Sequence, residues 1–270
     1  MHPFDLATAL VAQPDGSFRG NTSPAYANMV GPFGGVTAAC LLQAAWLHPA
    51  RIGEPVALTV NFAAAVADGE FTLTARAVRT NRSTQHWAIE LAQAGEVAAT
   101  ATAVFALRRE TWSAPEAVAP EMPAPATLPR APHAPDQGRP PWTRHYDMRF
   151  AEGGMPDAFD GQPQPGSVTR HWVRDEPPRP LDFIALASLC DTFFPRVFLR
   201  RRKWAPIGTV SLTTYFHADA AALLAQGAHP VLGTARALNF HNGYFDQTAE
   251  VWSAERRRLA SSHQVVYYRD

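Results

Sequence analysis

A chain of 270 residues with 46% hydrophobic residues is long enough to bury a large core, as one domain or as two smaller fused ones. Its 24 basic and 24 acidic side chains give a formal net charge of zero, which argues against a surface that binds nucleic acid or anionic lipid. The two cysteines, Cys40 and Cys190, lie in apolar segments without metal-ligand spacing, so neither a metal site nor a disulfide framework is predicted.

The N-terminal segment, Met-His-Pro-Phe-Asp-Leu, lacks the basic and apolar regions of a secretion signal. No uninterrupted apolar run in the chain is long enough to span a bilayer. We therefore expect a cytoplasmic protein without a membrane partner.

Two predicted helices are apolar on nearly all faces. The first follows residues 31–35, Gly-Pro-Phe-Gly-Gly, and covers residues 36–46. The second is predicted to begin at a cap, Asp182, and to continue through Phe194, before Pro195. Because a helix of this kind must be covered on most sides, each one needs a sheet that wraps it.

Each helix is followed by a segment with period-two alternation, which predicts a half-buried strand. The alternating residues are Val56, Leu58, Val60 and Phe62 in the first half, and Val210, Leu212, Thr214 and Phe216 in the second.

The halves are separated by a proline-rich segment and share a short repeat. Nine prolines lie between Pro115 and Pro141, a composition that favours extended, weakly packed chain. Thr-Ala-Arg-Ala at 74–77 recurs at 234–237, with Glu90 and Glu250 at the same offset. We therefore predict an internal duplication, divided into a first unit (1–109), a linker (110–142) and a second unit (143–270).

Five segments, in this order, carry a resemblance to a known family: residues 31–35, Trp172-Val173-Arg174 ahead of Pro180-Leu181-Asp182, residues 191–195, residues 209–217, and Leu259-Ala260-Ser261-Ser262-His263-Gln264. They resemble the thioesterase superfamily with two fused hot-dog units, in particular bacterial acyl-CoA thioesterase II and its relatives. The resemblance implies an α+β double hot-dog fold, in which each unit wraps a long helix in a curved antiparallel β-sheet.

The resemblance also implies a catalytic group in the second unit, formed by Asp191, Thr209 and Gln264. The corresponding strand positions of the first unit are predicted to be Pro55 and Thr102, and its helix has no carboxylate between residues 36 and 46. One active site per chain is expected, with an acyl-CoA substrate, no cofactor and no metal. Association into a homo-oligomer is left open.

The residue types suit hydrolysis of a thioester. Asp191 lies in an apolar segment without a local cation, so burial would raise its pKa and make it a base for water. Thr209, predicted to face away from Leu212, and Gln264 can orient that water through a hydroxyl and an amide. Without the resemblance, an Asp bonded to nearby backbone, an ordinary strand Thr and a surface Gln are the simpler interpretations.

Backbone N–H groups of Gly34 and Gly35, at the start of the first helix, are candidates to bind the substrate by stabilising the oxyanion. A tight turn that packs this helix on the sheet explains the glycines equally well. Phe33, Tyr215 and Phe216 are expected to shape the acyl pocket.

Two alternatives to a thioesterase remain. A non-catalytic module that binds an acyl group or acyl-CoA would keep the same fold. An enoyl-CoA hydratase would need the Asp and His of its family motif close together before the helix, and no such pair is found.

Overall fold

The structure, a computed structural model, describes residues 1–132 and 139–269. Within these residues, thirteen strands form one antiparallel sheet that is accompanied by five α-helices. The helices are α1 (Pro3–Ala7), α2 (Gly34–Leu47), α3 (Phe183–Leu189), α4 (Arg196–Arg201) and α5 (Ala220–Gln226).

The first half of the sheet comes from the first part of the chain, in the spatial order β1-β2-β4-β5-β6-β3. Its strands are β1 (Val11–Ala12), β2 (Phe18–Asn21), β3 (Glu54–Phe62), β4 (Glu70–Thr80), β5 (Thr84–Gln93) and β6 (Glu96–Ala106).

The second half continues the same sheet from β3, in the order β9-β13-β12-β10-β8-β7, with β11 paired to β12. Its strands are β7 (Tyr146–Glu152), β8 (Thr169–Asp175), β9 (Ile207–Phe216), β10 (Val231–Arg236), β11 (Phe240–His241), β12 (Tyr244–Trp252) and β13 (Arg258–Tyr268). Because β3 pairs with β9, neither of these central strands has a free edge.

The two copies of the short sequence repeat pair with their neighbouring strands in the same register. Thr74 lies opposite Glu90 in the first half, and Thr234 lies opposite Glu250 in the second. At the junction of the halves, Thr59 lies opposite Thr213, and their Oγ1 atoms are 3.1 Å apart. The two halves are therefore arranged about an approximate twofold axis near this pair of threonines.

Helices α2 and α3 pack against each other, and both are almost wholly buried, as their apolar sequences predict. Asp182 caps α3 as predicted, since its side chain accepts a hydrogen bond from the Ala185 N–H. The prediction that this helix continues through Phe194 is wrong, because α3 ends at Leu189. The Asp191 N–H donates to the Ser188 carbonyl and the Thr192 hydroxyl donates to the Leu189 carbonyl, which tightens the chain into a turn.

The proline-rich segment is better packed than its composition predicts. The Trp172 indole N–H donates to the Pro123 carbonyl at 2.8 Å, and the Ala131 N–H donates to the Met148 carbonyl at 2.8 Å. Ala119 is buried against Trp172 and Trp252 of the second half. Residues 133–138 of the predicted linker lie outside the described residues, and the unit boundaries at 109 and 142 stay predictions.

In the described part of the chain, no helix combines the length and the hydropathy that a membrane span requires. The cytoplasmic location predicted from the sequence is not tested by this observation.

Candidate active site

The three polar residues singled out by the sequence lie together at one cavity. Asp191 lies in the turn after α3, Thr209 on β9 and Gln264 on β13, and all three line a cavity of about 120 Å³. The cavity also borders Phe33, which immediately precedes α2. The N-terminus of the first-half helix and the polar residues of the second half therefore meet at a single site.

A chain of hydrogen bonds joins the three side chains. The Thr209 hydroxyl donates to Gln264 Oε1 at 3.4 Å, and Gln264 Nε2 donates to Asp191 Oδ1 at 2.8 Å. Gln264 is 2% exposed and is therefore held in one orientation by these bonds and by its neighbours. Since the Thr209 hydroxyl donates to the amide and the amide donates to the carboxylate, the Thr209 oxygen can still accept a hydrogen bond from water.

The Asp191 carboxylate has a strongly perturbed acidity. Burial raises its pKa from 3.8 to about 7, against the hydrogen bonds from the Gln264 amide and the Gly35 N–H, which lower it. Although the residue is partly exposed towards the cavity, the surrounding protein removes most of the hydration of its carboxylate. A carboxylate with this pKa can exchange a proton with water near neutral pH.

Thr209 reaches the site through a β-bulge. In the pairing of β9 with β13, Ser211 lies opposite Val265 and Thr209 lies opposite Val266, so Val210 is an extra residue. The bulge changes the alternation, so that Thr209 lines the same cavity as Gln264 while Val210 is 40% exposed. The predictions that Val210 is on the buried face and that Thr209 faces away from Leu212 are therefore wrong.

The first half contains the same bulge without the polar residues. The pairing of β3 with β6 skips Val56 and places the buried Pro55 where the second half has Thr209. Leu58 lies opposite Ala103, as Leu212 lies opposite Gln264, so the counterpart of Gln264 is Ala103 rather than the predicted Thr102. Pro55 and Ala103 have no side-chain groups that could repeat this hydrogen-bond chain.

The two glycines at the start of α2 lie against the turn that contains Asp191. A Cβ added to Gly34 would lie 2.8 Å from Asp191 Oδ2, and one added to Gly35 would lie 2.6 Å from the Ser188 carbonyl oxygen. The Gly35 N–H donates to the Asp191 carboxylate. In this arrangement the Gly35 N–H is bonded to the acid, and the assignment of Gly34 and Gly35 to the substrate stays a prediction.

Aromatic side chains form much of the cavity wall, and several were not identified from the sequence. Phe33 lines the cavity as expected, whereas Tyr215 is 51% exposed and Phe216 belongs to the core. Trp142, from the predicted linker, stacks on Phe33 with a centroid distance of 4.1 Å. Trp142 was not identified from the sequence because it lies in the proline-rich segment, which has no periodic pattern.

Gln247 was also missed. It is 2% exposed, lies opposite Gln264 on the neighbouring strand and lines the cavity. The available sequence signal was a polar residue at a buried position of a strand. Among residues 1–132 and 139–269, no group of three or more His, Cys, Asp or Glu side chains could hold a metal ion.

Family models match the chain in two segments. The acyl-CoA thioesterase N-terminal domain matches residues 23–106, and the acyl-CoA thioesterase C-terminal domain matches residues 125–268. No curated protein sequence gives a significant match.

Solved structures resemble the whole chain. A conserved protein of unknown function with a hot-dog fold from Alicyclobacillus acidocaldarius has 50% identity and a TM-score of 0.93, covering 100% of this chain and 99% of that one. An acyl-CoA thioesterase II, TesB2, from Mycobacterium marinum has 18% identity and a TM-score of 0.78, covering 98% of each chain. The tesB protein of Mycobacterium avium subspecies paratuberculosis has 16% identity and a TM-score of 0.80, covering 99% of this chain and 98% of that one. The predicted double hot-dog fold is thereby confirmed.

Proposed function

Since this chain belongs to the acyl-CoA thioesterase family, we propose that it hydrolyses an acyl-CoA thioester to the free acid and coenzyme A. The observation that carries the proposal is the Asp191 carboxylate, whose pKa is raised to about 7 and which Gln264 and the Gly35 N–H hold at an aromatic cavity. The proposed reaction needs no cofactor, because water is the nucleophile and the carboxylate is its base.

Asp191 takes a proton from a water molecule while the water oxygen attacks the carbonyl carbon of the thioester. The tetrahedral intermediate then collapses, the carbon–sulfur bond breaks, and the coenzyme A thiolate leaves and takes up the proton that Asp191 removed from the water. Thr209 accepts a hydrogen bond from the water, and Gln264 holds the carboxylate in line, because it bonds both groups. Attack by water on a buried carbonyl requires this positioning as well as a base.

The negative charge that develops on the carbonyl oxygen also requires a donor. The N-terminus of α2 lies at the site and carries the positive end of the helix dipole. Because Gly35 donates to Asp191, the Gly34 N–H is the donor that we assign to this oxyanion. Of the two glycines predicted to bind the substrate, this proposal keeps the N–H of Gly34 alone for that role.

The variant Asp191→Asn tests the proposal. It keeps the size of the side chain but removes the base, so we expect kcat for a hydrolysed acyl-CoA to fall by about 10²- to 10⁴-fold. The assay is release of the coenzyme A thiol. A folded Asp191→Asn enzyme with turnover near that of the wild type would refute the mechanism.

Asp175→Asn is the matched control. Asp175 is 3% exposed and its pKa is also raised to about 7 by burial, but it lies on β8 and does not line the cavity. Its substitution therefore removes a similar buried acid and is expected to leave turnover unchanged. If the wild-type protein binds acyl-CoA but releases no thiol from any of them, the chain is a binding module instead.

A further inference from the structure

The cavity at Asp191 is small for a thioesterase substrate. It is open on one side and has a volume of about 120 Å³, less than the cavity of about 150 Å³ that holds a single benzene ring in another protein. The same cavity contains the catalytic side chains, so the thioester carbonyl occupies part of it. The room left for the acyl group is therefore limited to about six carbon atoms beyond the carbonyl.

Three aromatic pairs line this space. Phe33 and Trp142 are nearly parallel, Phe150 meets Phe194 edge to face at a centroid distance of 6.0 Å, and Phe198 meets Trp204 at 4.8 Å. Ring faces and edges in these orientations suit contact with another flat or compact apolar group.

The wall formed by Phe193 is backed by the core. Phe193 is 5% exposed and stacks on the fully buried His171 at a centroid distance of 4.9 Å. Gly233 lies directly behind this pair, and a Cβ there would come within 2.8 Å of both rings. Phe193 therefore has no free space into which it could rotate to lengthen the cavity.

The neighbouring wall is held by a buried cation. Arg196 is 0% exposed, lies over the Phe194 ring at 4.8 Å, and donates to the Phe194 carbonyl at 3.0 Å through Nε. It also donates to the Ser167 carbonyl at 3.2 Å. The hydrogen bond fixes the Phe194 backbone, and the guanidinium packed on the ring restricts the movement of its side chain.

We propose that the substrate is the thioester of a compact acyl group, no larger than about one phenyl ring or a six-carbon chain. The proposal rests on the thioesterase function proposed above and adds the size of its substrate. Longer acyl chains are excluded because Phe193 is backed by packed side chains and Phe194 is held by the buried Arg196.

A panel of acyl-CoA thioesters tests this size limit in the wild-type protein. We expect kcat/KM for the better of hexanoyl-CoA and benzoyl-CoA to exceed that for decanoyl-CoA and for palmitoyl-CoA by at least about tenfold. A smaller difference, or a preference for the longer chains, overturns the size limit and leaves the thioesterase function intact. Absence of thiol release from every member overturns the thioesterase function itself.

A wall variant tests which side chain sets the limit. Phe150→Ala removes the half-buried ring that packs against Phe194 in the cavity wall, so the decanoyl to hexanoyl ratio of kcat/KM should rise by at least about tenfold. The control is Phe240→Ala, which removes a similarly half-buried ring that packs on Phe245 outside the cavity, and it should leave this ratio unchanged. A ratio within one variant does not depend on the amount of folded enzyme. An unchanged ratio in Phe150→Ala, or an equal rise in the control, overturns the assignment of this wall.

Discussion

The acidity of Asp191 is determined by the burial of its carboxylate and by two neutral hydrogen-bond donors from the described part of the chain. Burial raises its pKa to about 7, while the Gln264 amide and the Gly35 N–H stabilise the charged form and limit the rise. A base acts only when it is unprotonated. The site is therefore expected to gain activity as the pH rises through neutrality.

We predict that a plot of kcat/KM against pH rises with a midpoint near pH 7, the pKa of Asp191. In Gln264→Met the amide donor is lost at similar side-chain volume, so the pKa of Asp191 should rise and the midpoint should move to higher pH. The pH dependence of kcat/KM for a hydrolysed acyl-CoA measures both values. A midpoint that stays in place, or moves to lower pH, would show that Gln264 does not stabilise the carboxylate.

The buried carboxyl group of Asp175 leads to a prediction about how the free energy of unfolding depends on pH. Burial, the largest influence, raises its pKa from 3.8 to about 7, and its Oδ1 atom has no hydrogen-bond partner among the described residues. The folded protein therefore keeps this proton up to about pH 7, whereas an unfolded chain releases it near pH 4. As the pH rises through this window, ionisation favours unfolding, by up to about 4 kcal/mol.

We predict that Asp175→Asn becomes more stable relative to the wild type as the pH rises from 5 to 8. Denaturant unfolding at each pH measures the difference in free energy of unfolding. Asp68→Asn, which changes an exposed carboxylate, should run parallel to the wild type across this range. Parallel curves for Asp175→Asn would mean that Asp175 is ionised in the folded protein at pH 5.

At the scale of elements, the contact of α2 with the turn after α3 builds the site. This contact requires small residues in the first turn of α2, because backbone and carboxylate atoms of the second half approach it closely. The two glycines thus fit both roles considered from the sequence: they allow α2 to pack closely, and they lie beside the Asp191 carboxylate.

The two glycines are predicted to respond differently to substitution. Gly35→Ala meets the fixed Ser188 carbonyl oxygen at 2.6 Å and should lower the free energy of unfolding by about 1–3 kcal/mol. Gly34→Ala meets the Asp191 side chain instead. It should therefore lower kcat while changing the free energy of unfolding less than Gly35→Ala does. Thermal unfolding and thiol release separate the two effects. Gly166→Ala is the control, since its Cβ would meet nothing within 4 Å, and equal effects of all three variants would contradict the packing argument.

At the scale of the whole molecule, one sheet and one large core unite the halves. The largest core cluster includes residues of both helices, among them Leu41 and Leu186, and β3 pairs directly with β9. Separation of the halves would expose this shared surface and the edges of both central strands. We therefore expect the two halves to fold together.

We predict a single cooperative unfolding transition despite the internal duplication. Circular dichroism and tryptophan fluorescence, followed during denaturant unfolding of the full chain, should give coincident curves with one midpoint. Two transitions, or curves that do not coincide, would indicate that each half is stable by itself.

The sequence by itself determined the family and the double hot-dog fold, through the resemblance carried by the order of its short segments. The helical and two-residue periodicities and the Asp182 cap indicated the two buried helices, although α3 ends at Leu189 rather than at Phe194. The repeat of Thr-Ala-Arg-Ala was enough to indicate a duplication, and the structure gives both copies the same register.

Only the tertiary structure decided how the polar residues meet. The bulge at Val210 turns Thr209 into the cavity, the end of α3 at Leu189 places Asp191 in a turn, and Gly35 from the other half holds its carboxylate. Trp142 completes the wall from a segment without periodicity. Each of these depends on strand register or on contact between residues far apart in the chain, and local sequence patterns do not specify such contacts.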